Sequence, residues 1–221
     1  RVLFRSELWS LYGQNYIDAL LATWGMTLES FAIAMVLAVA VTVMRVSPLK
    51  PLRVFGDLYV QVFRNIPGIA LLIIVVYALP PLKIVLPYRT CVIVATVLLG
   101  SAFGSENFMS GINTVGVGQV EAARSLGMSF SRILAKIVIP QALRSSVLPM
   151  TNLFIAVMLT TALGSQVPLQ PQELTGVVSY INTRSLGGVA AFFISALGYL
   201  GTAFVVSHIG NYIDKKVRIL R

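Results

Sequence analysis

At 221 residues, 57% of them hydrophobic and only 11% charged, the chain departs far from the roughly 25% charged usage of soluble domains and is composed for a lipid surrounding. Its formal net charge of +9 does not signal nucleic acid, because the basic residues scatter around apolar runs instead of forming a stripe interleaved with aromatics. The single cysteine, Cys91, excludes an intramolecular disulfide and, by itself, a zinc site; its apolar setting reads as that of a small buried hydrophobe.

The first fifteen residues are mixed, carry Arg1, Arg5 and Glu7, and lack a short apolar core followed by a small-residue cleavage site, so no signal peptide is expected and targeting falls to the membrane segments. The chain starts without methionine, which fits a truncated lead-in, and the stretch around Gly13 and Gly25 suggests nothing beyond a loop. A helix needs about twenty apolar residues to cross a hydrocarbon core of about 30 Å, and five stretches qualify. The first, 17–44, is interrupted by Glu29; its uninterrupted part, 31–44, is too short to span alone, so Glu29 is expected within the membrane. The second, 55–79, contains Gln61, Arg64 and Asn65, and the third, 88–109, holds Ser101, Ser105 and Glu106 near its end. The fourth and fifth, 142–163 and 187–213, carry small residues that let neighbouring helices approach closely. The fold class is therefore an all-α integral membrane protein of about five transmembrane helices in one domain, 1–221.

Positive loops stay in the cytoplasm. Arg45, Lys50, Arg53, Arg124, Arg132, Lys136, Arg144, Lys215, Lys216, Arg218 and Arg221 fall on one face, and Arg1, Arg5, Lys83, Arg89 and Arg184 on the other. The N-terminus is thereby predicted outside, the C-terminus inside, and 110–141 becomes a cytoplasmic loop. Its central sequence, VEAARSLGMSFSRILAKIVIPQALR over 120–144, has good helix formers ended by Gly127. Ala122 and Ala123 beside Glu121 make a slim ridge suited to a groove on another protein. Ile133, Leu134, Ile137 and Ile139 give an amphipathic stretch along the membrane surface, and Pro140 leads into the fourth span. On these grounds alone, an ordinary amphipathic loop and a docking helix are equally open.

Glu121-Ala122-Ala123, three residues, Gly127, nine residues, then Ile137-Val138-Ile139-Pro140 resembles the EAA loop of permease subunits in binding-protein-dependent ABC importers, with Ile139 where leucine is usual. The run PQALR at 140–144, Pro149, Asn152, and Phe63-Arg64 with Pro67 are similar to the polar amino acid uptake branch, and 110–128 looks like actinobacterial glutamate-type permeases. The resemblance implies the type I ABC importer permease fold, with a coupling helix built on Glu121, Ala122, Ala123, Gly127 and Pro140. It also implies a second permease subunit, identical or homologous, two cytoplasmic ATP-binding subunits and an extracytoplasmic solute-binding protein, in a bacterial plasma (inner) membrane. Those ATPase partners would use ATP and Mg; this chain, without a G-x-x-x-x-G-K-[ST] loop, is expected to be no enzyme and to hold no cofactor or metal. A docking helix of this kind must contact its partner differently in two states, or it shifts no equilibrium.

Ionisable side chains inside hydrocarbon cost at least a few kcal/mol each and by default face a cavity or a partner. Arg64 and Asn152 are both placed near the midplane by helical rise. Arg64 either grips a substrate α-carboxylate in bidentate fashion or bonds carbonyls freed at Pro67. Gln61, Asn65, Asn152, Thr160 and Thr161, with Ser105, offer hydrogen bonds along the same path. Glu29 either binds a substrate ammonium or pairs with an arginine of the neighbouring subunit, and Glu106 suits a structural or gating role. Met158-Leu159-Thr160-Thr161 lacks the lysine common in the branch, so glutamate-like substrates are favoured only by the overall resemblance. The segment 164–188 is expected outside or re-entrant, as the binding protein's contact. His208, Trp9 and Trp24 read as packing or interfacial residues. The competing reading is a secondary transporter or passive channel in which Glu29, Arg64 and Glu106 form an ion relay. A membrane enzyme lacks any paired acid and nucleophile.

Overall fold

The computed structural model describes residues 5–184 and 188–217, and all the regular structure among them is helical. Arg1, Gly187, Arg218 and Arg221, which entered the span and charge reading above, lie outside the described residues. Four helical segments are long and apolar enough to cross a membrane on their own, and a bent pair makes a fifth if its arms form one broken span.

Helix α1, Arg5–Val46, is one uninterrupted helix of 42 residues, about 63 Å long at 1.5 Å per residue. The lead-in expected to be loop is therefore helical. Its reason is packing: Tyr16 and Ala19 are buried against Leu174, Val177, Ile181 and Ala191, and the Tyr16 hydroxyl donates to the Ala191 carbonyl at 3.2 Å. Helix α2, Lys50–Asn65, and helix α3, Gly68–Ile73, replace the expected second span. Helix α3 runs on through a π turn, Ile74–Ala78, to a 3-10 turn, Pro80–Leu82, and the two arms meet at 103°. Ile66, preceding Pro67, adopts an extended conformation, as the residue before proline prefers, and Pro67 has no N–H to continue the ladder.

Helix α4, Tyr88–Asn113, lies along α1 on a seam of small residues. A Cβ on Gly100 would stand 3.3 Å from the Ala34 Cβ, and one on Gly104 only 2.8 Å from that of Ala38. Two small residues four apart on each helix thus let the backbones touch, which is how helices associate in lipid without a hydrophobic drive. Helix α5, Val117–Ser125, is followed by α6, Phe130–Ile133, which continues through a π turn, Leu134–Val138, into α7, Ile139–Ser145. After a turn at Ser146, whose backbone bonds continue from Ala142 to Met150, the chain enters α8, Val147–Thr160, and a 3-10 stretch, Thr161–Gln166. Helix α9, Leu174–Asn182, and helix α10, Gly188–Val217, complete the bundle. Gly210 of α10 is set so tightly against Thr151 of α8 that any side chain there would collide.

Candidate functional site

A cleft of about 1010 Å³ opens between α4, α8 and the α2–α3 bend. Arg64, Asn107, Asn152, Thr160 and Gln166 provide its polar lining, and Phe103, Leu99 and Leu163 belong to its apolar wall. Thr96 also faces it, 1% exposed, with its hydroxyl unbonded. That hydroxyl is unlike those of Thr27, Thr42, Thr151 and Thr160, each of which donates to the carbonyl four residues back. A buried polar atom left unpaired loses roughly 1–3 kcal/mol, and this one lies beneath the surface of the cleft wall.

Behind the Arg64 edge of the cleft lies an ionic knot joining three helices. Arg45, in the last turn of α1, donates from Nε to Asp57 at 2.8 Å, from Nη2 to Glu106 Oε1 at 2.7 Å, and from Nη1 to the Ser105 hydroxyl at 3.2 Å. The Ser105 hydroxyl lies 3.1 Å from that of Thr42, which accepts from it. Gly56 makes the approach possible, since a Cβ there would stand 2.7 Å from the Arg45 Cγ. The other Glu106 oxygen, Oε2, faces Arg64 Nη1 at 3.4 Å, and the Arg64 guanidinium lies 5.5 Å from the Phe103 ring centre. Arg64 therefore turns to Glu106 and Phe103, not to the carbonyls at Pro67.

At the same end of α4 stands α5. Gly127, at φ +74°, ends it with the paired bonds of a Schellman cap: Met128 N to Ala123 O at 3.1 Å and Gly127 N to Arg124 O at 2.9 Å. Ala123 packs inward on Ile133 and Val138, so the outward ridge is Glu121 and Ala122, flanked by Val117 and Leu126, 71% and 83% exposed. The isoleucine-rich stretch serves partly to seat α5, through buried Ile133, instead of lying wholly along a membrane surface. Gln141 of α7 donates to Gln119 of α5 at 2.7 Å, and Pro140 begins α7.

Residues 30–219 match the family described as binding-protein-dependent transport system inner membrane component. The chain belongs to this family. Among its relatives is the glutamate transport system permease protein GluC of Corynebacterium efficiens, 33% identical over 207 residues, covering 88% of this chain and 90% of that protein. The L-cystine transport system permease protein TcyB of Bacillus subtilis is 30% identical over 215 residues, covering 95% and 91%. The crystal structure of an amino acid ABC transporter with histidines superposes at a TM-score of 0.88 with 25% identity, over 94% of this chain and 96% of that one. The fold is that of type I ABC importer permeases.

In this permease the cleft brings together Arg64, Asn152 and Thr160 from the sequence expectations. Asn65 caps its own helix by donating to the Gln61 carbonyl at 2.7 Å, and both residues are exposed away from the cleft lining. Ser105 is consumed in the ionic knot, and Thr161 is fully buried, donating to Met158 O at 2.6 Å. Arg89 of the same chain grips Glu29 in bidentate fashion at 2.7 and 2.8 Å. Its position on α1 is about 20 Å along the helix from Thr42, so Glu29 does not share the knot of Arg64 and Glu106. His208 stacks on Phe204 and Trp24 donates to Thr202, while Cys91 is buried.

Three participants escaped the sequence reading. Arg45 sits in the last turn of α1, where charge is ordinary, and Asp57 lies mid-way along α2 on an exposed face. Glu173 precedes α9 in a polar segment, yet it is fully buried. Its carboxylate accepts from Thr175 N and Gly176 N, both at 2.6 Å, and from the Tyr199 hydroxyl at 2.9 Å. Burial pushes its pKa above the ordinary carboxylate range, against the lowering effect of those donors. It caps α9, ties it to α10, and fills the space above Gly164 in the 3-10 stretch that walls the cleft.

Proposed function

We propose that this permease forms half of the pore of an ATP-driven importer for a polar amino acid, glutamate-like by its relatives, working by alternating access. A second permease copy, identical or homologous, closes the open side of the cleft. A solute-binding protein delivers substrate from outside, near residues 164–184, and two ATP-binding subunits meet Glu121, Ala122 and Gly127 inside and perform the hydrolysis with Mg. The N-terminus then lies outside and the C-terminus in the cytoplasm, as the basic residues beside the spans favour. The observation that carries this reading is that α4 lines the cleft with Phe103 and Asn107, ends at Asn113 and gives way to α5, with its exposed ridge, at Val117. Between them, Gly111 packs against Ala142 and Ser146 so closely that no side chain fits, so α4 and α7 move as one body. Force applied at α5 reaches the cleft wall by that route.

The amino-acid substrate is supported by the cleft's chemistry. One guanidinium, three carboxamides and the Thr160 hydroxyl suit a ligand with a carboxylate and further polar groups. The test is ATP hydrolysis by the complex in liposomes with ligand-loaded binding protein, comparing wild type with Gly127→Asp. Open space surrounds Gly127, so aspartate fits sterically but strains the left-handed backbone by about 1 kcal/mol. The expected result is normal assembly with stimulation reduced at least tenfold; undiminished stimulation would remove α5 from the coupling role.

A further inference from the structure

Glu106 is shared unequally. Its bond to Arg45, at 2.7 Å, has the length of a strong charge-assisted contact, whereas Arg64 stands back at 3.4 Å. Arg45 is 12% exposed and is held by Asp57 and Ser105 as well, while Arg64 is 40% exposed. Only Arg64 of this group lines the cleft; Glu106 lies behind it, out of the lining. A ligand entering the cleft therefore meets the guanidinium and not the carboxylate, beside an aromatic ring.

We propose that Glu106 is a displaceable counter-ion that occupies Arg64 while the cleft is empty, and that Arg45 is the positioning residue that makes it displaceable. This rests on the cleft being the substrate path. A carboxylate arriving in the cleft takes the planar fork of Arg64, for which it is the matched partner. Glu106 loses one contact at that moment but keeps its shorter one, so no carboxylate is left uncompensated. Without Arg45, Glu106 would have Arg64 as its sole cation and would hold it against the ligand. The arrangement selects for a carboxylate on the ligand: an uncharged carboxamide cannot replace the charge that Glu106 withdraws, and a cationic group is repelled by Arg64. The Arg45–Glu106–Arg64 chain thus sets both the preference for the carboxylate and the ease of its release.

The signs of the substitution effects distinguish this from a purely structural knot. Equilibrium binding of radiolabelled L-glutamate and L-cystine, each compared with its α-carboxamide, is measured on the permease–ATPase complex in nanodiscs without binding protein. Glu106→Gln frees Arg64 and is expected to tighten carboxylate binding at least fivefold, with little change for the carboxamide. Arg45→Gln is expected to weaken carboxylate binding at least fivefold, and Arg45→Gln with Glu106→Gln to return it to wild-type strength or better. Asp57 is 53% exposed, so orphaning it is cheap, and the double variant separates the effect from misfolding. Loss of binding in both single variants with no recovery in the double, or an unchanged preference for carboxylate over carboxamide in all three, would overturn the inference. So would a wild-type complex that imports these amino acids yet binds none of them in the cleft. A complex that imports none of them overturns instead the functional reading beneath it.

Discussion

A threonine inside a helix usually returns its hydroxyl to the preceding turn, and Thr96 does not. Replacing it with valine keeps the shape and removes an unpaired polar atom, which should stabilise the protein by about 1 kcal/mol. Thermal unfolding of wild type and Thr96→Val, compared on matched preparations, checks this. Glu173 gives the opposite case, a buried polar group fully used. Glu173→Ala strands two backbone N–H groups and leaves the Tyr199 hydroxyl with Thr175 at 3.1 Å, with an expected loss of about 2–4 kcal/mol and a matching fall in melting temperature. Because burial raises its pKa in the folded state, folded protein keeps a proton there that unfolded chain has already lost. Stability is then present below the usual carboxylate pKa and falls as pH rises through the window up to the raised value. Glu173→Gln should flatten that slope in a pH series of melting curves. At this scale the sequence was legible where a charge interrupts an apolar run, as at Arg64 and Glu106. It was illegible at Glu173 and Arg45, because a carboxylate in a Pro/Gln-rich segment and an arginine at a span end look solvated until the fold buries them.

The elements show the same division. Spans built on long apolar runs, such as α4 and α10, could be drawn from the sequence because hydrophobic length alone decides them. The first helix could not be bounded, since its N-terminal turns owe their helicity to α9 and α10, elements more than 150 residues away. The bend at Pro67 was visible as a proline but not as a 103° turn, because a proline in a membrane helix kinks or breaks it according to its neighbours. Gly68, whose Cβ would crowd Leu99 and Leu163 at 3.1 and 3.3 Å, lets the second arm close over the cleft. Gly104 offers the cleanest test of helix pairing. In Gly104→Val the first added carbon already overlaps Ala38, so α1 and α4 must separate at a cost of about 2–3 kcal/mol. The expected outcome is loss of the monodisperse complex in size-exclusion chromatography, whereas Gly118→Val, in open space, should assemble normally.

Across the whole molecule, Arg64 links the cleft lining to the Arg45–Glu106 knot, and the 3-10 stretch packed on Glu173 walls the same cleft. The first half of α10 exposes Phe192, Phe193, Leu197, Leu200 and Phe204, as lipid or a second permease requires. A relay of Glu29, Arg64 and Glu106 would need those groups to communicate, and the bidentate Arg89–Glu29 clasp lies apart from the knot. The proposed account is instead one of a hinged bundle driven from α5. Uptake of radiolabelled amino acids into proteoliposomes containing the full complex, with binding protein outside and ATP trapped inside, tests it most directly. The account predicts accumulation of one polar amino acid above its external concentration, abolished when ATP is omitted or when Gly127→Asp is present. Equal accumulation without ATP, or flux through the permease reconstituted alone, would contradict it.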